Sequence, residues 1–530
     1  MQKGQFFEAG LRPGFRFWDI EGLIRVFVLT NFEVKPWKAM NLPDSAAGRS
    51  ASQGYGKVAV KSSVWSFLGS ISKQGSQFLV SLVLAWFLSP ESFGLIGMVT
   101  LATGFALAIS EMGLGGAIIQ KQNATELDTH SLFWFNLALG TSLAVVLTIL
   151  SPLVAMFFNK PELTSLIMGS SLVLFFGSVS VIPAALMRKA LRFRALAMIE
   201  ISSSIFAGVA AITMAYFGVG VWALVAQALL LSLSSALLVY FGSGYRARLM
   251  VSVEAVRSFL PFSLNLLGFN LVNYFSRNVD YLLIGKFLGA TPLGLYTLAY
   301  KIMLVPLQNI SWALGNALFP VFSKFSSDRE RVARNYKKVI AFISSLVAPL
   351  MAFIHNCSHE AFSVFYSNEW LPSAEILKVL SICGLIQSVV APVGIILLAL
   401  GLTKTQFHLG LVNTLIAFIS IFAGLKWGIL GVAYGYTIAN IFIFFVVNIT
   451  ISKILNKNIF YIQHSFIPAI VVFLILKLTN DFILRTVSEE TSFLIICNLI
   501  LSVFAGLFLL RINKIIEKEN KKWKLIIGFK

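Results

Sequence analysis

The chain has 530 residues with 42 Lys+Arg, 23 Asp+Glu and a formal net charge of +19, yet only 12% of it is charged and 57% is hydrophobic. With a mean hydropathy of +0.82, that apolar surface exceeds what soluble cores of this size can hide, and it excludes disorder as well. Lipid must be the solvent for most of the chain, and the excess positive charge reads as loop lysines and arginines beside anionic head groups rather than as a nucleic-acid surface.

Residues 1–56 come first and differ from the rest, mixing Arg, Lys, Trp and Phe without a sustained period. Leu23–Thr30 is too short to span, is interrupted by Arg25 and lacks a signal-peptide cleavage pattern. The segment is either a disordered cytoplasmic extension or an artefact of a start site that truly lies at Met40, and residues 1–39 are expected to be dispensable. From Ser62 onward apolar runs recur at 62–88, 93–115, 131–158, 163–187, 196–217, 220–241, 259–288, 293–319, 337–357, 373–400, 404–424, 428–452, 465–480 and 491–511. They are long and do not alternate, which predicts an all-α polytopic membrane protein of about 14 transmembrane helices.

Basic residues follow the even-numbered runs: Arg188, Lys189, Arg192 and Arg194; Arg246, Arg248 and Arg257; Lys324, Arg329, Arg331, Arg334, Lys337 and Lys338. The Lys-rich end after Arg511 continues the pattern. This bias predicts that both termini are cytoplasmic. The simplest role of the Arg188–Arg194 cluster is that of a topology signal.

A gapless shift of 200 residues superimposes Phe87-Leu88 on Phe287-Leu288, Gly94-Leu95 on Gly294-Leu295, and Leu114-Gly115 and Ala117 on Leu314-Gly315 and Ala317. The first two runs thus echo the seventh and eighth. A period of six spans, an even number, gives two bundles of one orientation, with a site expected between them. The division expected is an N-terminal bundle 57–245, a C-terminal bundle 246–455, two added helices in 456–512 and a basic cytoplasmic tail 513–530.

Polar stripes mark the candidate site. Lys73 lies mid-run with Ser66, Ser70, Gln77 and Ser81 at spacings of three and four. The shift maps Lys73 to Asn273 and Gln77 to Arg277, beside Asp280, while Glu111 and Lys301 with Gln308 lie on the second and eighth runs. Ionisable groups at mid-bilayer cost about 2.5–3.5 kcal/mol on insertion scales and so usually face a cavity or partner. Substrate contact is assigned to Lys73, Gln77, Arg277, Asn273 and Lys301, and ion coupling or charge pairing to Asp280 and Glu111. Arg277 and Asp280 could equally neutralise one another as a structural pair, Glu111 could simply be wet at its helix end, and Lys286 should snorkel outward. No phosphate loop or paired acidic motif on a soluble domain appears, and His355 and His359 lack the intervening Glu of a zinc protease motif. Cys357, Cys383 and Cys497 form no disulfide framework or metal spacing. No catalytic residue, metal or cofactor is therefore assigned.

The stretch Arg277-Asn278-Val279-Asp280-Tyr281-Leu282-Leu283-Ile284-Gly285-Lys286-Phe287-Leu288-Gly289, followed by Leu293-Gly294-Leu295-Tyr296, Ala299-Tyr300-Lys301 and Pro306, resembles bacterial polysaccharide exporters. These are the lipid-linked oligosaccharide flippases of the multidrug/oligosaccharidyl-lipid/polysaccharide superfamily. Leu88-Ser89-Pro90-Glu91-Ser92-Phe93-Gly94 and Gly113–Gln120 agree, and Phe133-Trp134-Phe135-Asn136 is similar to the colanic-acid-exporter-like branch. The resemblance covers about 57–511. It implies a V-shaped transporter that moves an undecaprenyl-diphosphate-linked repeat unit across the inner membrane by alternating access. It further implies a cationic cavity, ion coupling in some members, membrane lipids as surroundings, and a polysaccharide polymerase and chain-length regulator as candidate partners. The cavity arginines of the peptidoglycan-precursor branch have no counterpart on the first run, which offers Lys73 instead. The rival readings are a drug/cation antiporter of the same fold, whose cavity should favour carboxylates, and a membrane-embedded glycan ligase or polymerase, which should carry a large basic outer loop.

Overall fold

A computed structural model describes residues 69, 71–111, 113–121, 123–458, 460–486, 491–512, 516–519 and 522–525. The extension 1–56 lies outside the described residues. The helices are α1 (71–87), α2 (Pro90–Glu111), α3 (Leu114–Gln120), α4 (Glu126–Phe158), α5 (Leu163–Lys189), α6 (Phe193–Tyr216), α7 (Trp222–Ser243) and α8 (Val253–Phe287). Then come α9 (Ala290–Pro306), α10 (Ala313–Lys324), α11 (Arg329–Phe365), α12 (Leu371–Ala399), α13 (Thr403–Gly424), α14 (Gly428–Ile454), α15 (Phe460–Thr486) and α16 (Thr491–Ile512). Each predicted run carries helix where it is described. Among the described residues, ten stretches are long and apolar enough to cross a membrane by length and composition. One of them, Thr403–Ile454, joins two helices and has length for two crossings.

The departures from the predicted runs have local causes. The second run ends early because Gly113 takes a left-handed conformation (φ 69°), which separates α2 from the short α3. The eighth is interrupted after Pro306 by a π-helical turn, Leu307–Trp312, which absorbs the hydrogen-bond register that proline breaks. Three helices begin earlier than hydropathy indicated, because polar caps extend them past the apolar run. Thr125 and Asp128 form a capping box at α4, Ser252 accepts from the Ala255 amide at α8, and Asp328 accepts from the Arg331 amide at α11. Strands had no place in the sequence reading, but Ile516–Glu519 pairs antiparallel with Lys522–Leu525 beyond the last helix, setting Glu517 opposite Lys524.

The helices are apolar around most of their circumference, as buried and lipid-facing sides both require. Met156, Leu153, Phe482 and Phe504 are exposed at levels that only lipid would tolerate in such numbers, while Ser, Ala and Gly line the seams. In the first half α4 packs on α5, α5 and α6 on α7, and α2 on α5; in the second, α11 packs on α12, α12 on α14, and α13 on α14. The added helices α15 and α16 rest on α11. An Asn356–Asn498–Asn480 relay fastens them at 3.1 and 2.7 Å, and Asn356 also donates to the Leu476 carbonyl.

The two repeats meet most closely where α2 crosses α9. A Cβ on Gly94 would lie 1.8 Å from the Ala290 carbonyl oxygen, and one on Gly294 would lie 1.7 Å from that of Pro90. Both the glycines and their partners are separated by the 200-residue repeat, so a pseudo-twofold axis passes between them. The same end of the molecule is closed by Trp370, which is fully buried, stacks edge-on against Phe93 (5.2 Å) and donates to the Leu88 carbonyl (3.3 Å). Such a ring pair contributes about 0.5–1.5 kcal/mol beyond burial. Near the same end, Lys286 donates to the exposed Phe157 carbonyl and sits 4.8 Å from the Phe157 ring, adding a further tie between the repeats.

Residues 244–252, between α7 and α8, are pinned to α4. Tyr245 meets His130 Nδ1 at 2.8 Å, Trp134 Nε1 donates to the Arg248 carbonyl, and the Ser252 amide donates to Ser131 Oγ. Burial pushes the Tyr245 hydroxyl well above the ordinary phenol range, so it stays protonated as a donor.

Candidate functional site

The polar stripe of α1 lies between α6 and α9. Each step of four residues turns about 40° around a helix, so Lys73, Gln77 and Ser81 curl progressively across that gap. At one end Lys73 Nζ lies 3.9 Å from Glu200 Oε1 of α6. At the other, Ser81 Oγ lies 3.5 Å from Lys301 Nζ of α9, which also sits 5.8 Å from the Phe93 ring. Gln77, half-buried, occupies the turn between them, its carbonyl accepting from Ser81. The stripe thus joins the two repeats, and its Lys301 end is close beneath the Gly94–Gly294 crossing. Lys73 and Lys301 stand about 12 Å apart along the axis by the rise between residues 73 and 81.

The sequence placed Lys73 with no acidic partner on its own helix. The structure supplies one from α6, a lone carboxylate in the apolar run 196–217 and the feature that could have flagged it.

On α8, Asn273 and Arg277 are exposed one turn apart. Their neighbour Tyr274 donates to the Leu101 carbonyl of α2 at 2.7 Å. Asp280, one turn further along, is buried where Arg277 is exposed. It is 2% exposed and accepts from Tyr296 Oη at 3.0 Å and from the Tyr281 amide at 2.9 Å. The buried carboxylate thus has a tertiary partner in the Tyr296 hydroxyl, as buried polar groups generally require. Behind Asp280 runs a polar chain the sequence did not reveal. Tyr296 stacks on Tyr300 (5.5 Å), Tyr300 meets Tyr436 Oη (3.2 Å), and Gln387 donates to Tyr436 (2.8 Å) and to Asn440 Oδ1 (3.1 Å). The i,i+4 spacing of Tyr296 and Tyr300 was its only local trace. Glu111 ends α2, and its side chain lies outside the described residues. Among the described residues no His, Cys, Asp and Glu group is arranged to hold a metal.

The helices of the two sequence repeats meet at paired glycines, with lysines on the seam. The polysaccharide biosynthesis protein family matches residues 83–375, over half of the chain, and the protein belongs to that family. Similar proteins are the teichuronic acid biosynthesis protein TuaB of Bacillus subtilis (28% identical over 67% of this chain and 74% of that one) and the lipopolysaccharide biosynthesis protein WzxC of Escherichia coli (28%, over 71% and 77%). The succinoglycan biosynthesis transport protein ExoT of Rhizobium meliloti is 26% identical over 62% and 66%. Among solved structures, the lipid II flippase MurJ shares the fold with a TM-score of 0.69, at 15% identity over 84% of this chain and 98% of that one. An inward-facing multidrug resistance transporter of the MATE family and MOP superfamily does so with 0.56, at 19% identity over 72% and 94%.

Proposed function

We propose that the protein flips a lipid-linked oligosaccharide, an undecaprenyl-diphosphate-linked repeat unit, across the inner membrane for O-antigen, capsule or exopolysaccharide assembly. The observation that carries this reading is the cationic stripe of α1 and α9, set on the seam beneath a closed end, in a chain of the polysaccharide biosynthesis family. A diphosphate leaving the head-group region needs positive charge in place of water. Lys73 and Lys301 supply it as point charges, and Arg277 as a planar fork that suits phosphate oxygens. Gln77 and Asn273 offer amides to the sugars. Asp280 and Glu111 serve ion coupling or charge pairing.

In this reading there are fourteen spans, both termini are cytoplasmic, and the halves 57–245 and 246–455 rock about the α2–α9 crossing. The closed end faces outward, so the stripe is loaded from the cytoplasm. The protein does no bond chemistry; a polymerase and a chain-length regulator act on what it delivers. Deleting the gene should remove surface polysaccharide and accumulate lipid-linked repeat units on the cytoplasmic leaflet, with restoration by the wild-type gene. Intact surface glycan together with a new drug sensitivity would favour the antiporter instead.

A further inference from the structure

The Lys73–Glu200 pair belongs to a ladder between α1 and α6, which run parallel. A Cβ on Gly69 would lie 2.6 Å from Ala197 Cβ, Ser76 Oγ meets Ser204 Oγ at 2.8 Å, and a Cβ on Gly208 would lie 2.4 Å from Val80 Cγ2. Residues 69, 73, 76 and 80 on one helix thus face 197, 200, 204 and 208 on the other. Three of the four rungs are small or aliphatic, and they fix the register closely. The fourth holds opposite charges in a seam that packs without them.

That rung has the marks of a pair built to open. At 3.9 Å the two groups attract without forming a hydrogen bond, and the side chains remain 38% and 29% exposed. A pair serving as structural glue would be closer, more buried and more fully hydrogen-bonded. A lysine at this depth still needs an anion while the site is empty. The rigid ladder holds that anion near enough to neutralise it and too far to bind it tightly.

We propose that Glu200 is a positioning residue for Lys73: a resident counter-ion that a prenyl diphosphate displaces on entry and that reclaims the lysine on exit. This rests on the flippase reading above. Displacing a carboxylate lowers the net affinity of Lys73 for phosphate, which lets the carrier leave, since transport requires binding that is favourable yet reversible. Through the 40° turn per step of the stripe, the vacated diphosphate has Gln77, Ser81 and then Lys301 ahead of it.

The test uses the full-length protein in nanodiscs with farnesyl diphosphate as probe, read by calorimetry at several salt concentrations. Glu200→Gln should bind about tenfold tighter than wild type, within the 5–150-fold range typical of coupling between sites, and should transport more slowly. Glu200→Asp should behave as wild type, and Lys73→Ala should lose the tightening when combined with Glu200→Gln. Glu200→Ser, matching the small rungs, serves should Glu200→Gln fail to fold. Unchanged or weaker binding by the folded Gln or Ser variants, with wild-type binding intact, overturns the counter-ion and leaves the flippase reading standing. Absence of binding by wild type overturns both.

Discussion

At the residue scale, the charges on the seam differ in how far the sequence revealed them. Lys73 was legible in the sequence because a lysine deep in an apolar run is costly and rarely accidental. Glu200 was not, because its meeting with Lys73 depends on two helices more than a hundred residues apart lying in register. Asp280 shows the same limit. Its i,i+3 spacing from Arg277 was visible, but not that its carboxylate would accept from Tyr296 of α9. If the cations hold the diphosphate, Lys73→Ala and Arg277→Ala should each abolish surface glycan with protein abundance unchanged in membrane fractions. Arg277→Lys should retain part of the export, since charge remains but the fork is lost. Normal export by both alanine variants at low expression would remove them from the site.

At the element scale, the repeat was visible as matched glycines, but not that Gly94 and Gly294 would face one another's helices. That follows only when α2 and α9 are placed about a common axis. At 1.7–1.8 Å from a backbone oxygen, an added Cβ has no flexible neighbour to push aside. Overpacking typically costs about 1–3 kcal/mol, and here the cost falls on the closed arrangement. Gly94→Ala and Gly294→Ala should therefore shift the population toward one open at that end. In a cysteine-free background carrying Ser81→Cys, either alanine should increase labelling by a membrane-impermeant thiol reagent added outside several-fold. Unchanged labelling would show that the crossing is not the seal. The helix breaks at Gly113 and after Pro306 were likewise beyond hydropathy, which registers apolar length and not backbone register.

At the scale of the whole molecule, the lysine and arginine asymmetry carries the orientation. A cysteine at Ser367, exposed at the closed end, should react with an impermeant reagent added outside, and one at Ser327 should react only after permeabilisation. The reverse pattern would invert the orientation and place the closed end in the cytoplasm. Family and fold were readable from composition, runs and the α8–α9 segment, because membrane insertion writes its constraints into long stretches of sequence. The site was readable only in its cations, since their partners come from other helices.

The central claim is tested most directly in proteoliposomes holding a fluorescent undecaprenyl-diphosphate-linked oligosaccharide, with an impermeant quencher added outside. The account predicts that wild-type protein brings inner-leaflet lipid into the quencher's reach, and that Lys73→Ala protein of equal abundance leaves it protected. Protection unchanged by folded wild-type protein, under any imposed proton or sodium gradient, would contradict it.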